Sequence, residues 1–263
     1  DLYQNWVDSF ALGLDTLNVI AASACTDTSC AESKIKSLYA YVRDEYETRG
    51  NYSYFLKDSA INRLLEKQYG SASEKNVFLA KLLKSQGIEA YPILIGTNDY
   101  SLFKMKEYDL SQFNRAACLV INEGDTILLD TEHRLVPYPY IPSSDYVRAG
   151  LLIDGENSRI VTVNHKERKN CTEVATQMEI DIDGNVACTT RICARGHAIE
   201  EFQNVLNDTL SAEKMSDDIL GKFQSKYDLS ECNVNLDLSG DSLAILIIYN
   251  LPDYATVVGE NMF

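Results

Sequence analysis

Apolar residues recur at helical spacing through the first third of the chain and in alternating or continuous runs after it. Leu2, Trp6, Phe10, Leu14, Leu17 and Ile20 predict a helix over 2–22. Ser29 precedes Glu32 by the capping-box interval, and Ile35, Leu38, Tyr39, Val42 and Tyr46 mark one face of a second helix, stopped by Gly50. NYSYFLK (51–57) reads as extended, and a third helix covers about 59–68. Ser71 and Glu74 form another capping box ahead of Val77, Phe78, Leu79, Leu82 and Leu83, with Gly87 as the C-terminal cap.

The texture then changes. AYPILIG (90–96) predicts a buried strand, in which Pro92 suggests an edge position or a bulge. Residues 97–113 are polar and irregular. AACLVI (116–121) and TILLD (126–130) read as a hairpin around NEGD, and VPYPYIPSSDY (136–146) as a loop wrapped over a surface. NHKERKN (164–170) reads as a solvated linker after a short strand at 159–163. Residues 173–182 and 185–193 alternate around Asp183-Gly184, a hairpin signal. Helical segments at 197–209 and 212–226 and strands at 232–238 and 242–250 complete the pattern. The fold class expected is α+β. Residues 1–150 form a helical-then-β domain, and 151–263 a β-rich domain with a helical insertion.

Composition removes several functions. The 263 residues are 45% hydrophobic and 24% charged, as in globular proteins, and the longest apolar run, LAILII at 243–248, is too short to span a bilayer. A net charge of −15 repels nucleic-acid phosphates, so neither nucleic acid nor membrane insertion is expected. None of the seven cysteines shows CxxC spacing. A disulfide between Cys25 and Cys30 would close a short loop. Cys118 reads as a small buried hydrophobe. Cys188 and Cys193 face opposite sides of one strand, with Cys171 and Cys232 as available partners. Three histidines and scattered thiols make no metal set. Asp181, Asp183 and Asn185 lack the terminal Glu of a calcium loop and suit a hairpin turn instead. No metal or cofactor is expected.

The chemistry concentrates at the helix opened by Ser71. A residue at such a start sits in the positive end of the helix dipole, where a thiolate is stabilised. That residue is Ala72. Ser71 is better explained as the cap. Ser73 lies about 100 degrees further round the helix. His133 is a polar loop residue, His165 belongs to the charged linker, and His197 sits beside Gly196 in the second domain.

Five segments in order resemble bacterial transglutaminase-like proteins that carry a β-sandwich before and after the core. SLYAYVRDEY is similar to the helix before the catalytic one. QYGSASEKNVFLAKLLKSQGIEAYPILI resembles the segment built on Tyr-Gly-Asp-Cys. SQFNRAACLVI resembles the strand carrying the histidine. TILLDTEHRLVPYPYIP resembles the aspartate segment, and Gly196-His197-Ala198 the opening of the C-terminal β domain. The resemblance implies a transglutaminase-like, papain-like cysteine-protease-type domain followed by a β-sandwich-like domain, in a longer and extracytoplasmic bacterial protein.

Carried over residue by residue, the Cys-His-Asp triad falls on Ala72, Arg115 and Asp130. Alanine has no nucleophile. Arginine stays protonated and cannot act as a base, though it can pair with Asp130. The resemblance therefore implies a pseudoenzyme, a binding or scaffold module. Tyr69, Tyr138 and Tyr140 would grip a peptide, protein or glycan beside the remnant site, or simply pack the loop onto the core. The alternative is a cysteine peptidase, amidase or acyltransferase whose nucleophile was replaced at Ala72.

Overall fold

The computed structural model describes residues 4–6, 12–25, 30–50, 53–57, 60–100, 109–122, 124–202, 217, 221, 228–237, 241–255, 257–258 and 261–262. The fold is α+β, in two compact units that divide between Glu167 and Arg168. The boundary expected at 150 is thus too early, because the strands at 149–152 and 159–162 complete the sheet of the first unit.

In the first unit, helix α1 (Leu14–Ala24) begins after the non-helical pair Leu12-Gly13, so the helix expected over 2–22 is broken there. Glycine favours that break because it loses most conformational freedom inside a helix. Helix α2 (Ala31–Glu45) is capped by Cys30, whose sulfur accepts from the Ser33 N–H. The expected cap, Ser29, lies outside the described residues. Strand β1 (Glu47–Thr48) pairs in parallel with β2 (Tyr69–Gly70), on either side of α3 (Ala60–Lys67). Residues 53–57 form no strand and bend at Tyr54-Phe55. Helix α4 (Ala72–Ser85) then packs on a five-stranded antiparallel sheet.

That sheet has the order β5 (Asp125–Leu129), β4 (Arg115–Asn122), β3 (Glu89–Ile95), β6 (Ala149–Leu152), β7 (Arg159–Thr162). Strand alternation builds two cores. Ala116, Cys118 and Val120 join Leu38, Phe78 and Leu82 under the helices, and Ala117 and Leu119 join Ile141, Val147 and Val163 on the opposite face. Pro92 lies in the central strand, not at an edge. Its C=O accepts the N–H of Ile153, just beyond the end of β6. A residue's N–H and C=O project to the same side of a strand, so the missing donor faces a place where pairing has already stopped.

The second unit has one four-stranded antiparallel sheet, ordered β10 (Asp228–Asp237), β11 (Ser242–Leu251), β9 (Val186–Arg195), β8 (Cys171–Ile180). A two-residue ladder joins β12 (Val257–Val258) to β13 (Asn261–Met262). Among the described residues there is no second large sheet to complete a sandwich. A 3-10 turn covers Gly196–Phe202, where a helix was expected. The rest of that segment, and nearly all of 212–226, lie outside the described residues. Residues 164–170 are no solvated linker throughout, because Arg168 is buried. It binds Asp241 through Nε and Nη2, at 3.1 and 2.6 Å, and Glu200 through Nη1 at 2.7 Å.

Candidate functional site

The start of α4 is locked from several sides. Ser71 Oγ accepts the Glu74 N–H at 3.2 Å, and Glu74 Oε2 accepts the Ser71 N–H at 2.9 Å, completing the expected capping box. Arg63 pairs with the other Glu74 oxygen, which also accepts the Lys57 N–H at 3.3 Å. Gly70 leaves the space this needs, since a β-carbon there would meet Leu64 at 3.0 Å and Glu74 Oε2 at 3.1 Å. The first turn continues with buried polar residues. Ser73 Oγ accepts the Ala116 N–H at 2.9 Å. Asn76 donates to the Ala116 C=O at 3.0 Å and accepts from the Thr131 N–H at 2.9 Å. Lys75 Nζ reaches the Thr131 C=O at 2.8 Å, Thr48 Oγ1 at 3.1 Å and the Arg43 C=O at 3.4 Å. Three oxygens suit the three N–H bonds of an ammonium, yet burial brings the Lys75 pKa down to about 7.

These bonds fasten α4 to the neighbours of Arg115 and Asp130, so the three positions singled out in the sequence share one region. The guanidinium of Arg115 is 1% exposed and points into a carboxylate cluster. Its Nη1 lies 3.2 Å from Asp130 Oδ2, 3.0 Å from Asp145 Oδ1 and 2.6 Å from Glu132 Oε2. The pair with Asp130 anticipated from the sequence is present. Asp145 and Glu132 are partners the sequence did not reveal. Asp145 sits in a polar turn with no periodicity, and nothing in its spacing signals a buried carboxyl.

The cluster holds more acid than base, and the carboxyls split accordingly. Burial pushes Asp145 well above the usual carboxylate range, and the charge of Asp130 pushes it further. Burial acts on Asp130 as well, but Arg115 and hydrogen bonds from Asp145, Glu132 and Asn76 hold it below that range. The two shifts run in opposite directions, so Asp145 gives up its proton at a higher pH than Asp130 does.

Above the cluster opens a cavity of about 720 Å³. Tyr54, Phe55, Tyr100 and Phe113 supply aromatic wall, and Asn114 and Glu132 its polar side. Sequence reading passed over these aromatics because they come from irregular segments. The tyrosines it chose lie elsewhere. Tyr138 packs on Tyr39 at 6.3 Å between ring centroids, Arg49 covers the Tyr69 ring at 4.8 Å, and Lys166 lies 5.8 Å from that of Tyr140. None of the three lines this cavity.

Of the three histidines, His133 borders the Arg115 cluster, sharing Glu132 Oε2 with it. His133 Nε2 is 3.3 Å from Glu132, half-buried His165 bonds the Val147 C=O, and His197 pairs with Glu200 at 2.7 Å. None of the six described cysteines is in a disulfide, so the short-loop bridge between Cys25 and Cys30 is absent. No cluster among the described residues has the make-up of a metal site. No helix described is long and apolar enough to cross a membrane.

Neither known family profiles nor curated proteins match the chain. Among solved structures, one similar in shape is the crystal structure of a putative protease from Parabacteroides distasonis. It is 9% identical, with a TM-score of 0.44, and the match covers 95% of this chain and 52% of that one. The chain thus spans about half the length of that protein.

Proposed function

We propose that the chain is a catalytically inactive protein with a transglutaminase-like first unit, serving as a binding or scaffold module. The aromatic cavity beside Arg115 holds a peptide, a protein segment or a glycan. The observation that carries this reading is the buried Arg115–Asp130 pair, which puts a permanently protonated group where a Cys-His-Asp site needs a proton acceptor. Ala72 at a fully capped helix start supports it, because the dipole that would activate a thiol has only a methyl group to act on. An extracytoplasmic bacterial setting is part of the proposal and rests on the family resemblance.

The test restores the missing sulfur. Ala72→Cys is expected to alkylate with iodoacetamide at the rate of an ordinary thiol and to cleave no peptide amide. Rapid stoichiometric labelling at neutral pH with amide turnover would instead make the native protein a cysteine peptidase, amidase or acyltransferase. Binding is read by calorimetry against peptide and glycan panels. The double variant Phe55→Ala/Tyr100→Ala should lose at least about ten-fold in affinity, since stacked aromatics carry much of the energy in such clefts. Finding no ligand of any class would leave a purely structural role.

A further inference from the structure

Strand β8 closes one side of the second unit's sheet in an unusual state. All ten of its residues are exposed. Its inner neighbour β9 is not. There Val186, Cys188, Thr190 and Ala194 are buried while Ala187, Thr189, Arg191 and Arg195 face out, a regular period of two. The register carries the same apolar side onto β8, where Val174 lies opposite Ile192, Met178 opposite Cys188 and Ile180 opposite Val186. On β8 that side is bare. Val174 is 64% exposed, Met178 44%, Ile180 50%, and Ile182 just beyond the strand 87%. Among the described residues, the cover seen on β9 does not extend to β8.

The backbone is open as well. No described strand pairs with the outer edge of β8. Natural sheet edges are protected by charged side chains, lysine above all, and by proline, bulges or brevity. Strand β8 runs ten residues, contains no Lys, Arg or Pro, and pairs with β9 without a register shift. Its other side carries Glu173 and Glu179, followed by Asp181. Arg191 and Arg195 lie one strand inward on that side, flanking Glu173, so the acidic character is concentrated toward Glu179.

We propose that the outer edge of β8 is a docking surface for an extended segment of another protein, added as a fifth strand, with apolar residues on one side and lysine or arginine on the other. The main chain would supply affinity through ladder hydrogen bonds. The alternating side chains would supply choice, apolar ones covering Val174, Met178 and Ile180 and basic ones meeting Glu173 and Glu179. Charge favours such a partner over a second copy of this chain, which brings the same carboxylates and the same net charge of −15.

The probe is a fluorescein-labelled eleven-residue peptide of alternating valine and lysine, read by anisotropy on the whole chain. It is expected to bind about ten-fold or more tighter than a valine–glutamate peptide, or than the same residues reordered so that they no longer alternate. N-methylation of alternate peptide bonds on the ladder side should abolish binding. Val174→Lys/Ile180→Lys changes only exposed positions and should weaken binding by about ten-fold or more while leaving the circular dichroism unchanged. Phe55→Ala in the first unit should leave it untouched. Equal affinity for all the peptides, or binding that ignores the double lysine variant, would overturn the proposal. So would sedimentation showing a dimer of the chain that this variant dissolves, because a second copy would then occupy the edge.

Discussion

Arg115 shows how a single side chain organises a buried site. Three carboxyl groups approach one nitrogen, and Asp145 meets the excess charge by holding its proton to a higher pH. Unfolding frees that carboxyl to ionise, so a proton leaves on unfolding at any pH above its ordinary value of 3.8 and below its raised one. Stability contributed by Asp145 is therefore full below about pH 4 and declines as pH rises through this window. Asp145→Asn keeps a donor toward Asp130 and an acceptor toward Arg115 but cannot ionise. Denaturant unfolding should show the variant gaining on the wild type as pH rises above about 4. Parallel profiles would mean that the Asp145 carboxyl is not raised.

Two elements depend on short local devices. The capping box of α4 fixes the geometry at Ala72, and Ser71→Ala should cost about 1 kcal/mol in thermal or chemical unfolding. Gly196 has φ +67°, and a β-carbon on it would stand 2.0 Å from the Lys169 C=O. Gly196→Ala should therefore destabilise the second unit by at least about 2 kcal/mol, through left-handed strain plus a backbone clash. Hydrogen exchange should localise the loss to β8 and β9 and spare β3 and β4. Loss of protection spread evenly over both units would sink that prediction.

At the scale of the molecule, the first unit carries two cores of its own, both before residue 168. One runs from Trp6 to Ile153 and the other from Ile93 to Val163. A fragment ending at Glu167 should fold alone and melt in one cooperative transition followed by circular dichroism, since a domain needs chiefly its own hydrophobic core. A non-cooperative melt would show that Arg168–Phe263 is part of the folding unit.

The local periodicities were enough to place most of these elements. Helical spacing located α2 and α4, apolar runs either side of a turn located β4 and β5, alternation located β8 and β9, and Ser71 with Glu74 announced the cap, because each signal lies within a few residues. Only the tertiary structure decided what those elements do together. It put Pro92 in a central strand, because β6 stops where the missing N–H would have been used. It buried Arg168, which sits in a charged run, because Asp241 and Glu200 arrive from far along the chain. It surrounded Arg115 with Asp145 as well as Asp130, and set the aromatic cavity on irregular segments instead of the chosen tyrosines. Charge pairing and cavity walls join residues distant in sequence, and periodicity along the chain carries no information about such distances.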